Sequence, residues 1–421
     1  MYLSPANIDM LRIEKLQAEN FRCFDTVSMT FEPDVTLLFA ENGGGKTALL
    51  TALAMGLGLL QPRHPKELTL NAERDARRIA GKNGGPREAA GPCKISWSAT
   101  IGERAGVGWS AATSPTARKA STQVRAAADA IEQVRKQGAR WPLMGHYGTG
   151  RFATERKATR KSRDLPDRWD GYEGCLEPSP TDAPLLEWLR DEAFGDLARH
   201  RRGEPERRFD LTVFNTLKRV TPGVADIWYD PAAGSPMVRF EAGNEVAWEE
   251  LSDGFHMFLA LVGDIARRAV ILNSQDGLEA PLLVEGVVLI DELDLHLHPR
   301  WQRDVLKGLR TAFPKLQFII TTHSPQVLSS AENRQVRQFV DWDVKEGGIF
   351  VEGRDTNAIL VELMGTDNRD ETGRSKLDAL YEAIDDGRIS DAQRLLTELR
   401  TRWGQVDPEL IRAEGLLDLE E

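Results

Sequence analysis

Cysteine is scarce in this 421-residue chain: there are three, Cys23, Cys93 and Cys175, far apart and with no C-x-x-C pair. That excludes a disulfide framework or a zinc knuckle and suits a reducing cytosol. Basic residues are in deficit, 54 Lys and Arg against 65 Asp and Glu, for a net charge of −11. A uniformly basic coat for nucleic acid is therefore excluded, and any such contact must be local. No uninterrupted apolar run approaches the length of a membrane span, and Met1 to Asp9 lack the basic start and apolar stretch of a signal peptide. The expectation is a cytoplasmic protein with no membrane contact. No heptad pattern persists across residues 151–210, so a long coiled coil is excluded there. At 41% hydrophobic, the chain is too apolar for the disordered class and long enough for two or three domains.

The most informative stretch is Ala40-Glu41-Asn42-Gly43-Gly44-Gly45-Lys46-Thr47, after the apolar run Val35 to Phe39 and before Ala48 to Leu53. It reads as strand, phosphate loop, helix, in the form G-x-x-x-x-G-K-[ST] with alanine at the first position. Asn42 and the three glycines let backbone amides turn inward on a polyphosphate. Lys46 reaches the outer phosphates, Thr47 offers its hydroxyl to Mg²⁺, and the following helix adds its positive end.

Around this loop the chain divides into four parts. Residues 1–150 form the first part of an α/β head: alternating strands between Leu11 and Phe31, a Pro/Gly/Arg-rich insertion at 61–91, a strand at Cys93 to Ile101, a helix from Ser121 to Gln137, and a strand into the glycine turn Tyr147 to Arg151. Residues 151–210 read as a basic helical arm, with clusters Arg156-Lys157, Arg160 to Arg163 and Arg199 to Arg202. Residues 211–355 return to α/β, ending in strand, helix, strand, helix, strand from Gly286 to Asp341, the alternation of a parallel sheet wrapped by helices. Residues 356–421 read as a helical tail. There Ser390 and Gln393 form a capping-box pattern, Leu395, Leu396, Leu399 and Trp403 share a face, and Asp407-Pro408 starts a last helix with Ile411 and Leu416.

Three further motifs follow the loop in order. Leu251-Ser252-Asp253-Gly254-Phe255 leads into an apolar helix, with Ser252 a good N-cap. Val287 to Ile290 is an apolar strand ending in Asp291-Glu292, placed where α/β folds hold ligands. There Asp291 would hold Mg²⁺ through water beside Thr47, and Glu292 could orient the attacking water. About thirty residues on, Ile319 to Thr322 delivers His323. His296 and His298 invite a metal reading, but no third ligand is evident nearby.

Order and spacing together resemble an ABC-type ATPase head of the SMC and RecF group, over about residues 10 to 345, with an Asn-Phe-Arg-x-Phe segment at 20–24. Tyr147 to Arg151, the L-S-D-G signature and Asp291 to Pro299 are similar to bacterial AAA-labelled ATPases that include subunits of anti-phage systems. The resemblance implies ATP and Mg²⁺ as ligands, Glu292 and His323 as catalytic, and Asp294 as the D-loop residue. Ser252, Asp253 and Gly254 would act in trans on a neighbour's ATP. No glutamine stands at the family's Q-loop position, where Tyr147 or His146 could substitute. The resemblance also implies a head-to-tail homodimer or higher oligomer around two ATP molecules, and a separate nuclease effector subunit in anti-phage defence. DNA or RNA contact through the arm is a further expectation. Alternatives are a DNA-repair ATPase, a transporter's nucleotide-binding subunit, or an OLD-type nuclease suggested by Ile349 to Gly353. No Asp-x-Asp strand follows that segment, which argues against intrinsic nuclease activity.

Overall fold

The computed structural model describes residues 10–41, 43–61, 65–80, 87–114, 117–137, 140–152, 167–366 and 369–420. Asn42 and the clusters Arg156-Lys157 and Arg160 to Arg163 lie outside them. The chain divides into two compact units, Met1–Thr356 and Asn357–Glu421.

In the first unit, β1 (Arg12–Phe21) and β2 (Phe24–Thr30) form a hairpin, and β3 (Val35–Phe39) runs into the phosphate loop and α1 (Lys46–Leu59). The insertion carries α2 (Ala72–Asp75) and a two-residue ribbon of β4 (Arg78–Ile79) and β5 (Glu88–Ala89). Its Leu68, Leu70, Asp75 and Ala76 are buried, so residues 65–80 pack as part of the unit. Next come β6 (Lys94–Ile101), β7 (Arg104–Ser114), β8 (Ala117–Gln123), α3 (Arg125–Lys136) and β9 (Leu143–Tyr147). The helix expected from Ser121 therefore starts later, because Ser121 and Thr122 pair with β7 instead. The rest of the unit comprises α4 (Ala183–Arg201), α5 (Phe209–Val220), β10 (Val224–Asp230), β11 (Ser235–Phe240), β12 (Glu245–Ala247), α6 (Asp253–Leu272), α7 (Ala280–Leu283), β13 (Gly286–Ile290), α8 (Pro299–Ala312), β14 (Leu316–Thr321), α9 (Pro325–Ser329), β15 (Val336–Val340) and β16 (Asp343–Lys345).

The central sheet runs β16-β15-β3-β14-β13-β9, parallel except for β16 at one edge. Every residue of β3, β9, β13 and β14 is buried, as expected of parallel strands covered on both faces. Loop strand, histidine strand and acidic strand are consecutive neighbours, so their carboxyl ends meet along one line. A second sheet, β2-β1-β6-β7-β8, is antiparallel. A bulge between Ile13 and Lys15 switches the parity of its buried positions, so Ile13 is followed on the core face by Leu16 and Ala18.

This second sheet carries α1. Trp97 and Trp109 stack with centroids 5.9 Å apart, and their indole N–H groups donate to the Ala52 and Gly56 carbonyls at 3.0 and 3.1 Å. A side chain at Gly56 would strike the Trp97 ring, so glycine is required for the approach. The phosphate-loop helix is thus fixed along its length and not only by its apolar contacts.

The signature helix α6 is a core element, buried at every residue from Met257 to Leu272. Against it, Leu185 of α4 fills the space beside Gly263, and Leu185, Trp188 and Leu189 are buried. Each such apolar side chain contributes about 2 kcal/mol on burial.

The second unit contains α10 (Thr356–Glu362), which begins at the boundary, then α11 (Glu371–Asp385), α12 (Ile389–Trp403) and α13 (Pro408–Glu420). Leu380, Ile384, Leu396, Leu399, Leu410 and Leu417 form the core of the last three, with Leu395 and Trp403 at its edge. One expectation needs correction. Arg388 is the N-cap of α12 and Ser390 lies inside its first turn, so the capping box does not form. In α13 the inward positions are Leu410, Ala413 and Leu417, leaving Ile411 and Leu416 exposed. Asp407 does cap α13, accepting from the Glu409 and Leu410 amides.

Candidate functional site

The phosphate loop turns because of its glycines. Gly43 and Gly45 have φ of 84° and 93°, a region open to glycine, and Gly45 leads into α1. A Cβ on Gly45 would lie 2.5 Å from Phe24 Cζ and 2.9 Å from Cys23 Sγ, so the 20–24 segment braces the loop from behind. From the same segment, Arg22 donates to Thr51 Oγ1 on α1 at 3.2 Å and to the buried Asp75 at 3.3 Å. In front, β15 and β16 are joined by Asp341-Trp342, both left-handed (φ 52° and 64°). The half-exposed Trp342 indole donates to the Gly43 carbonyl at 3.3 Å.

Lys46 is buried, and its ammonium donates to the Ala40 and Glu41 carbonyls at 3.0 and 3.3 Å. Desolvation lowers its pKa, against the opposing fields of Glu292, Asp291 and Asp294. The fields of all three acids thus reach the Lys46 ammonium. Thr47 Oγ1 donates to Asp291 Oδ2 at 2.8 Å, joining α1 to the end of β13. This pair of hard oxygen donors beside the loop suits Mg²⁺.

The end of β14 organises the acids. Thr321 Oγ1 donates to Asp291 Oδ1 at 2.6 Å and accepts from the Glu292 amide at 2.7 Å. Asp294 Oδ1 accepts from the Thr322 hydroxyl at 2.6 Å and from the His323 amide at 3.2 Å, so the D-loop is tied to the residue before the histidine and to the histidine itself. Glu292 is left-handed, φ 48°, at the point where the strand bends away. His298 Nδ1 accepts from the Arg300 amide at the start of α8.

Ser252 precedes α6 as its N-cap, yet its side chain makes no capping bond, and Ser252 and Asp253 are exposed. A side chain on Gly254 would collide with the His296 carbonyl, so the start of α6 lies directly on the D-loop backbone of the same chain. Phe255 packs against Phe240 and Trp301, with centroids 5.4 and 4.8 Å away, which accounts for an aromatic at the fifth signature position. Asp182 accepts from His256 Nε2 at 2.9 Å and from Trp248 Nε1 at 3.1 Å, fixing the first turn of α6.

The structure thus brings together Gly43, Gly44, Gly45, Lys46, Thr47, Asp291, Glu292, Asp294 and His323. It does not bring Tyr147 there. The Tyr147 ring is buried on the α6 side, its hydroxyl donating to Asp264 Oδ2 at 2.8 Å, and only its carbonyl serves the site by accepting from the Asp291 amide. Asp264 also accepts from Arg267 and Arg268, and these guanidinium groups hold its carboxyl well below the usual range despite burial. His146 is buried as well, and desolvation pushes its pKa down to about 4. The group that the glycine turn delivers is Arg151, 2% exposed, which donates to the Asp291 and Glu292 carbonyls at 2.6 and 2.8 Å. Desolvation lowers its pKa to about 10 against the pull of Asp291, Asp294 and Glu292. The turn signalled a delivered side chain, but nothing in it signalled which one or to what.

Two family models match this architecture. Residues 15–164 match one described as "AAA domain", and residues 150–329 match one described as "AAA domain, putative AbiEii toxin, Type IV TA system". Residues 15–329 are thus similar to AAA domains, in two overlapping matches. Among its relatives is "Retron Vc95 probable ATPase" of Vibrio cholerae, 46% identical over 26% of this chain and 21% of that protein. "Retron Ec83 probable ATPase" of Escherichia coli is 36% identical over 38% and 30%, and "Septu protein PtuA" of Bacillus thuringiensis is 31% identical over 30% and 34%. The matched segments thus span about a fifth to a third of these relatives. The SMC head domain from Thermotoga maritima aligns with a TM-score of 0.45 at 13% identity, over 80% of this chain and all of that one. Among the described residues, no helix is long and apolar enough to cross a membrane.

Proposed function

We propose that this chain binds and hydrolyses ATP as a head-to-tail dimer, and that the dimer controls a separate nuclease effector in anti-phage defence. The observation that carries the ATPase reading is the Thr47–Asp291 hydrogen bond, which joins the start of the phosphate-loop helix to the end of the acidic strand. Thr47 and Asp291 would hold Mg²⁺, which neutralises charge on the outer phosphates. Lys46 exchanges its loop carbonyls for phosphate oxygens. Glu292 accepts a proton from the attacking water, and His323 follows the end of the adjacent strand β14.

The exposed Ser252, with a hydroxyl not used in capping, supports a role on a neighbour's nucleotide. The helix ends after Gly45 of one chain and Ser252 of another would then share one γ-phosphate, and hydrolysis would release them by removing its charge. The effector reading rests on kinship with retron ATPases and PtuA. Contact of the basic groups in the 151–210 arm with DNA or RNA belongs to the same proposal.

Glu292→Gln tests the clamp, because it leaves every binding group in place while removing the base. Sizing this variant should show a monomer without ATP and a dimer with it. An unchanged elution volume in ATP would sink the dimer reading.

A further inference from the structure

Glu292 is flanked by two peptide groups, and all four of their polar atoms are held. The Glu292 and Leu293 amides donate to Thr321, to its hydroxyl at 2.7 Å and its carbonyl at 3.0 Å. The Asp291 and Glu292 carbonyls both accept from Arg151, through Nη1 and Nη2 respectively. Fixing both peptide planes fixes φ and ψ of the residue between them. That residue needs fixing, since a non-glycine side chain at φ 48° is held against its own preference. The guanidinium is itself immobilised: it is 2% exposed, Nη1 also donates to Gly148 at 3.0 Å, and it stands on a turn that follows the strand paired with β13.

We propose that Arg151 is a positioning residue for hydrolysis: its two Nη groups lock the peptide planes on either side of Glu292 and so aim the Glu292 carboxylate at the phosphate-loop face. The fork suits this task, because one planar group satisfies two carbonyls at a fixed separation, which a lysine ammonium does not do. Arg151 acts through the backbone of Glu292 and touches no phosphate. The proposal rests on Glu292 being the water-activating carboxylate.

The test uses Arg151→Lys and Arg151→Met in the full chain. Displacing a reacting group by about 1 Å costs on the order of 100-fold in rate. Turnover should fall by that order in both variants while the Kd for ATP stays that of the parent. In a Glu292→Gln background, Arg151→Lys should have no further effect on residual turnover, since no carboxylate is left to aim. Amide hydrogen exchange without nucleotide gives a readout independent of ATPase activity, and it applies to Arg151→Lys even if Arg151→Met fails to fold. Faster exchange at Glu292 and Leu293 in Arg151→Lys supports the anchor, and unchanged exchange there overturns it. A loss of ATP affinity matching that of Lys46→Ala would make Arg151 a phosphate ligand instead, and a full additive loss on top of Glu292→Gln would separate it from the carboxylate. A wild-type chain that neither binds nor hydrolyses ATP would remove the ATPase reading, with the exchange result still deciding whether Arg151 holds Glu292.

Discussion

His146→Gln should flatten the acid side of the stability profile. His146 is 4% exposed on β9, Nδ1 has no hydrogen-bond partner, and burial lowers its pKa from 6.5 to about 4, against the opposing pull of Asp291 and the Leu176 backbone. Because the folded pKa lies below the unfolded one, stability is complete above pH 6.5. It declines as pH falls, since only the unfolded chain takes up the proton freely, and the loss saturates below pH 4. The gap of 2.5 units corresponds to about 3 kcal/mol in full, and to about 2 kcal/mol by pH 5. Glutamine does not titrate, so the variant escapes this loss while keeping every other titratable group and its pH response. Denaturant unfolding of the two proteins at pH 8, 6.5 and 5 measures the difference directly, whatever constant offset the substitution adds. The wild type should lose about 2 kcal/mol more than the variant between pH 8 and pH 5. Parallel profiles would show that His146 takes up its proton as readily in the fold as in the unfolded chain, and that the burial argument is wrong.

Tyr147→Phe removes one of the donors to buried Asp264, leaving Arg267 and Arg268. It should cost about 1.5–3 kcal/mol in urea unfolding while ATP affinity, measured by titration, is unchanged, because the hydroxyl faces α6 and not the loop. Ser252→Arg should retain ATP binding and abolish turnover, and mixing it with Lys46→Ala should restore activity by pairing one intact loop with one intact signature. Undiminished turnover by Ser252→Arg alone would contradict the cross-chain assignment.

Much of the site was legible because it depends on local chemistry. The loop needs glycines in a row, and buried parallel strands need consecutive apolar residues, so loop, acids and histidine appear in the sequence as strand-end motifs. The place of Tyr147 was not legible. Leu143 to Tyr147 is buried on both faces, and without alternation nothing tells which side chain faces the loop and which faces α6. A signal existed elsewhere: Asp264, Arg267 and Arg268 are three charges spaced by three and four residues in an otherwise apolar helix, and they needed a buried partner. In α13, Leu410 and Ile411 are adjacent and equally apolar, so the helix phase was set by which one met α11 and α12.

The Asp341-Trp342 turn also bears on how far this protein can be made more stable. A two-residue hairpin with both positions left-handed favours Asn-Gly, and a non-glycine residue there costs roughly 1–2 kcal/mol. Trp342→Gly should therefore raise the unfolding midpoint of the apoprotein, while deleting the indole that bonds the Gly43 carbonyl. A thermostabilisation campaign guided by turn propensity would select this change early, and would unknowingly strip the phosphate loop of its outer support. For an engineer, the turn marks a place where the most stable sequence and the working one part company.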